Sequence, residues 1–288
     1  MKNRLALIVG MILIGMQAGL VKAHTLWINV VPEFNRHVVA NIGYGEVMNG
    51  SELLTPDWWP MYIESYELYS PDGEKTELSV PKLVTQEKQK LKSGIQVQAG
   101  GDTGQKKFII SESTDKGMYQ IVAKTHLAHV VTFLDKEGKK HYADATFMKL
   151  PKEAQIIKKK YGINFMQAVF AVDNWSTFNP TGLPLEIVPL SNLHNVRVGD
   201  RVQFKVLLNG EPLTKSEPFI TAYNLGFGDR WGMHSELIDG VGEIRVAEAG
   251  IWRIDANYAG ASDEIKAYRQ LEKLPISMES SFVFNVRP

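Results

Sequence analysis

From residue 24 onward the chain alternates apolar and polar side chains in short runs broken by turn residues. Val202, Phe204 and Val206 point one way and Arg201, Gln203 and Lys205 the other, the period-two signature of a strand with one buried face. Trp252, Ile254, Ala256 and Tyr258 repeat it, and Phe282, Phe284 and Val286 predict a final strand. Asn209-Gly210 marks a tight hairpin turn. Upstream, the runs His24 to Val31 and His37 to Gly43 flank the turn-like cluster Pro32 to Arg36 and predict an antiparallel hairpin. Tyr62 to Tyr69 ends at Ser70-Pro71-Asp72-Gly73, a strong turn signal. Gly94 to Gln98, Lys107 to Ser111 and Met118 to His126 predict further strands.

The pattern changes between Leu150 and Gly162. Pro151 suits a first helical turn, Glu153 follows it, Lys158, Lys159 and Lys160 lie near the end and Gly162 fits a cap, so a short surface helix is predicted over 151–162. A second helical excursion is expected over 262–271, where Ser262-Asp263-Glu264 precedes Ile265, Tyr268 and Leu271. Asn179 to Pro184 reads as a linker. The expected fold class is therefore all-β: two immunoglobulin-like or transthyretin-like sandwiches, 24–150 and 184–288, joined by a helix and linker over 151–183.

Residues 1–23 stand apart. Lys2 and Arg4 give a positive start, Leu5 to Val21 an apolar run and Val21-Lys22-Ala23 a small-residue cleavage site, the pattern of a secretory signal peptide. The run, with Gln17 near its end, is short for a membrane span of about 20 residues. Cleavage after Ala23 and a periplasmic mature chain without stable membrane insertion are the expectation. The chain has no cysteine, which excludes disulfides and a lipidated N-terminal cysteine. Removing residues 1–23 deletes Lys2, Arg4 and Lys22 and no acid, leaving a net charge of about −3. No polybasic field is present, so nucleic acid is not an expected partner.

Candidate chemistry rests on few residues. There is no Gly-x-Ser-x-Gly elbow, no phosphate-cradling glycine loop before a helix and no His-Glu-x-x-His pair, so the chain reads as a binding protein rather than an enzyme. Seven histidines remain. Cleavage after Ala23 leaves His24 with an imidazole and a free α-amine on one residue, two nitrogen donors able to chelate nickel, cobalt, copper or zinc. If the hairpin turns about Phe34 and Asn35, cross-strand numbers sum to about 69, which sets His24 near Gly45 and leaves His37 at the far end, roughly 25 Å away at ~3.3 Å per residue. Glu46 then flanks the site. His126 and His129 form a Thr-His-Leu-Ala-His motif, although strand residues three apart point to opposite faces. The expected metal ligands are His24, Glu46, His126 and His129. His234 lies in a glycine-rich aromatic stretch, His141 and His194 read as surface residues, and the lysine triplet as a solvated helix end.

Ala23-His24 with Trp27, Gly43-Tyr44-Gly45-Glu46, Gly182-Leu183-Pro184-Leu185-Glu186-Ile187-Val188-Pro189, Val198-Gly199-Asp200, Leu208-Asn209-Gly210-Glu211-Pro212-Leu213 and Ala249-Gly250-Ile251-Trp252 together carry a resemblance. The chain resembles the periplasmic components of nickel/cobalt ABC-type uptake systems, a largely uncharacterised family. Many relatives have a histidine where this chain has Glu46. The resemblance implies capture of nickel or cobalt and delivery to a membrane transporter. Two other classes stay open: a copper-binding histidine-brace protein, built on the same first residue and one more histidine, and a structural or adhesion-like sandwich without metal.

Overall fold

The computed structural model describes residues 25–33, 36–45, 61–82, 87–99, 101–176, 178–215, 218–224, 226–227 and 232–287. Among these, nineteen strands follow in order. The first ten are β1 (Thr25–Glu33), β2 (His37–Gly45), β3 (Ile63–Tyr69), β4 (Lys75–Glu77), β5 (Glu87–Lys90), β6 (Gln96–Ala99), β7 (Lys106–Ile109), β8 (Gly117–Thr125), β9 (Ala128–Leu134) and β10 (Lys140–Asp144). After them come β11 (Gln155–Val172), β12 (Leu185–Pro189), β13 (Arg201–Leu208), β14 (Glu211–Pro212), β15 (Phe219–Asn224), β16 (Met233–Glu236), β17 (Val241–Arg245), β18 (Gly250–Ala261) and β19 (Pro275–Val286). The fold is an all-β sandwich.

A ten-stranded sheet organises the molecule, in the order β16-β15-β18-β19-β11-β8-β3-β4, with β9 added on β11 and β10 on β9. Strands from before and after residue 183 thus hydrogen-bond within one sheet. Every pairing in it is antiparallel except that of β11 with β19. Because strand side chains alternate, this sheet feeds two cores. Ile163, Phe165 and Val169 of β11, with Phe282 and Phe284 of β19, join one core with β12 and β13. Met166 and Ala168 of β11, with Val283 of β19, join the other with β1 and β2.

The first core is closed by the sheet β12-β13-β14, to which β17 adds on β13. Val202, Phe204 and Val206 are buried there as their alternation predicts. Asn209 and Gly210 both take positive φ, 56° and 86°, and pair Leu208 with Glu211 across a two-residue turn that favours such residues. Gln167 of β11 accepts the Ile187 N–H at 3.0 Å and ties the large sheet to β12. The stretch read as a linker is pinned at its end: buried Glu186 accepts from Thr181 N and Oγ1 at 2.6 and 2.8 Å and from Gly182 N at 3.1 Å.

The second core lies under the sheet β1-β2-β7. The predicted hairpin is present, with Thr25 opposite Gly45 and Glu33 opposite His37, so partner numbers sum to 70 rather than 69. Arg36, at φ 60°, accounts for the extra residue, since a three-residue connection closes through a left-handed position. An edge strand leaves a row of unpaired carbonyls, and β1 places its row against the large sheet. There Ser281 Oγ donates to Leu26 O at 2.8 Å and Asn285 Nδ2 to Val30 O at 2.7 Å. Trp27 is fully buried, with the guanidinium of Arg253 4.8 Å from its ring centre, and Arg253 forms a buried ion pair with Asp255 at 3.1 Å.

The helix expected over 151–162 is not formed. Residues from Gln155 onward belong to the 18-residue strand β11, whose outer part pairs with β9 and, from Tyr161, with β19. Pairing with β9 outweighs the local helix signals, which are weak against tertiary context. The second expected helix is reduced to two short 3₁₀ turns, Ser262–Glu264 and Lys266–Tyr268.

Candidate functional site: a lysine-lined cavity beside the first strand

The site arises where β8 gives way to β9. Both run antiparallel to β11, with Lys124 opposite Phe165 and Ala128 opposite Gly162, so the β8–β9 side carries one residue more than β11 over this interval. Such a bulge aims neighbouring side chains in new directions. Here consecutive residues Thr125 and His126 both line one cavity of about 690 Å³. Thr125 Oγ1 accepts the Asn164 N–H at 3.0 Å and the His126 N–H donates to Tyr62 O at 3.0 Å, which satisfies the interrupted ladder.

His126 is held on three sides. Its Nε2 lies 2.5 Å from Asp144 Oδ2, its ring meets Phe147 at 4.7 Å between centres, and Tyr62 stands edge-on at 5.2 Å. Phe147 and Tyr62 stack on each other at 4.1 Å. Asp144, at the end of β10, is buried, and its Oδ1 accepts the backbone N–H groups of His129 and Thr146 at 3.1 and 3.0 Å. Burial pushes the Asp144 carboxyl up, but the hydrogen bonds from His126 and Thr146 outweigh it and hold the group below the ordinary carboxylate range. A carboxylate can only accept, so the proton on Nε2 faces it. Nδ1 lies 3.4 Å from Tyr62 O, which also only accepts, so both ring nitrogens face acceptors. A carboxylate on one ring nitrogen is the arrangement that orients metal-ligating histidines, and here the other nitrogen could take a cation only by giving up Tyr62 O.

Matching extends over most of this chain for a family model described as Domain of unknown function (DUF4198), which covers residues 21–260. The chain belongs to this family. A search of curated proteins gave no match. The DUF4198 span holds His126, Asp144 and the whole of β11, and ends one residue short of the end of β18. β19 lies beyond it, although Ser277 and Glu279 of that strand line the cavity.

Of the four ligands expected in this DUF4198 chain, His24 and Glu46 lie outside the described residues; they adjoin Thr25 and Gly45, the last described pair of the hairpin. The next pair of that ladder, Leu26 and Tyr44, lines the cavity with His126. His129 goes the other way: its ring packs against Tyr161 at 5.4 Å, and its buried Nε2 finds no hydrogen-bond partner among the described residues. The structure therefore joins the pair through Asp144 and not through a shared opening. Among the described residues no group of three or more His, Asp or Glu side chains is placed to share an ion. His37, opposite Glu33, stands at the turn end of the hairpin, well away from the Thr25 end.

His141 bonds Asp135 at 2.7 Å, and His234 sits on β16 with Nδ1 3.1 Å from Thr221 Oγ1. Sequence reasoning missed Asp144, Tyr62 and Phe147, which reach His126 from two separate segments, the approach to β3 and the end of β10 with the turn after it. It also assigned Lys158 and Lys160 to a helix end, whereas both line the cavity with Lys140. Their two-residue spacing was the available signal.

Proposed function

We propose that the exported chain, beginning at His24, captures a divalent transition-metal ion in the periplasm and passes it to a membrane uptake system. It acts as a binding protein and catalyses no reaction. Nickel or cobalt is the cargo that the sequence resemblance favours. His24 supplies its amine and ring, with Glu46 as a further donor, and His126 supplies Nδ1 on releasing Tyr62 O. The observation that supports this reading is that buried Asp144 holds His126 through Nε2 while His126 lines the same cavity as Leu26 and Tyr44. Copper is the second reading. A single further histidine lining that cavity matches a donor set of one first-residue histidine plus one ring, and imidazole nitrogen also suits copper.

Calorimetric titration of nickel, cobalt and copper into the chain starting at His24 tests the reading. His126→Ala, and one residue added before His24, should each weaken binding at least about tenfold, roughly 1.4 kcal/mol. His37→Ala should stay within about a factor of two. Wild-type affinity in the extended chain would remove the chelate. Among the described residues no helix is long and apolar enough to cross a membrane.

A further inference from the structure

The cavity carries a second chemistry that a bare cation does not use. The strand order β10-β9-β11 aligns Tyr142, Thr132 and Lys158 in one row and Asp144, Val130 and Lys160 in the next. Lys158 and Lys160 share one face of β11, about 7 Å apart along the strand, and both line the cavity, as Lys140 of β10 does. None of the three makes an ion pair among the described residues, whereas Lys75, Lys116, Lys124, Lys215 and Lys273 each have a carboxylate. Among the described residues one acidic side chain, Glu279, lines the cavity. Asp144 is already engaged by His126 and by two backbone N–H groups. Three ammonium groups gathered on one concavity repel one another and raise the local concentration of anions.

The rest of the lining sets the kind of anion. Leu26, Tyr44, Met61, Val130 and Ile163 offer apolar surface to a carbon skeleton. A volume of about 690 Å³ lies within the roughly 300–1,000 Å³ of small-molecule sites. Lysine ammoniums are point charges on flexible stems, which suits carboxylates of varied geometry better than one fixed planar group. We infer that this cavity binds a small organic anion bearing two or more carboxylates, its carboxylates on Lys140, Lys158 and Lys160 and its carbon body against the apolar wall. The inference goes beyond metal capture and does not require it.

The test uses citrate as probe, titrated by calorimetry into the metal-free chain starting at His24. One citrate per chain is expected. The double variant Lys158→Gln/Lys160→Gln should lose affinity at least about tenfold, while Lys92→Gln, an equal type of change on the β5–β6 hairpin, should stay within about a factor of two. Raising sodium chloride from about 0.05 to about 0.5 M should weaken citrate several-fold through screening. Acetate and inorganic phosphate, each lacking either the second carboxylate or the carbon body, should bind at least about tenfold more weakly than citrate. No citrate binding at millimolar concentration, an unaffected double variant, or phosphate as tight as citrate would each overturn the assignment. Because the protein is metal-free, failure here leaves the nickel titration standing, and failure of nickel binding leaves this result standing.

Discussion

The two faces of the large sheet are filled by opposite strategies. Towards β12 and β13, Phe204, Phe282, Phe284 and Trp252 are buried and interlock, with Phe204 5.8 and 5.6 Å from the rings of Phe282 and Phe284. Towards β1 and β2, the same sheet buries the Arg253–Asp255 ion pair, lends Ser281 and Asn285 to backbone carbonyls and opens into the cavity. Interiors pack at crystal-like density, so a face that keeps a cavity and spends side chains on polar tasks yields stability there. The closed face is filled by interlocked aromatic rings, and the open face carries the cavity lined by His126 and the three lysines.

The largest effect should come from breaking the closed face. Phe204→Ala empties the space beside two aromatic rings, and a loss of about 3–5 kcal/mol is expected, read as a lowered denaturation midpoint at unchanged slope. A loss below about 1 kcal/mol would mean that this face is not the stability reserve. On the open face, Gly43 lies beneath Trp27, where an added Cβ would meet Cε2 at 2.5 Å. Gly43→Ala should cost about 2–3 kcal/mol by overpacking, and it should disturb the hairpin that leads to the cavity.

Asp144→Asn sharpens the comparison through pH. The folded carboxyl lies below its ordinary value, so its stabilisation is present above about 3.9, the unfolded value, and is lost as pH falls through the lower folded value. At pH 7 the variant should be less stable by about 1–2 kcal/mol, and the gap to wild type should narrow in denaturation series carried below pH 4. A gap that widened in acid would reverse the assigned direction. The smallest effect on folding belongs to Lys158→Gln/Lys160→Gln. These side chains are solvent-exposed or half-buried, so stability should move by no more than about 0.5 kcal/mol, and a drop above about 2 kcal/mol would make them structural.

Much of the fold could be read from residue patterns. The alternations at 202–206, 252–258 and 282–286 are buried strands, and the first hairpin is in place with its register one residue from expectation. The turn at Asn209-Gly210 needed only local chemistry. The site was less legible. His126 was found by residue type, but its partner Asp144 is 18 positions away and its aromatic neighbour Tyr62 is 64 positions away. Nothing in the Thr-His-Leu-Ala-His motif foretold that a bulge would turn one ring to the cavity and leave the other against Tyr161.

The division has a physical cause. Alternation, turn residues and the absence of cysteine act within a few positions, and they alone determined that this chain is built from strands without covalent staples. The state of residues 155–160 depended on a partner: Pro151, Glu153 and the lysines suit a helix locally, and only hydrogen bonds to β9, made by residues distant in the chain, select the strand. Once β11 extends, every second side chain faces the cavity, and Lys158 and Lys160 change from a helix end to its wall. The sequence supplied the charges and the periodicity; the pairing of β11 with β9 decided where those charges point, because strand pairing is a long-range contact that no local pattern encodes.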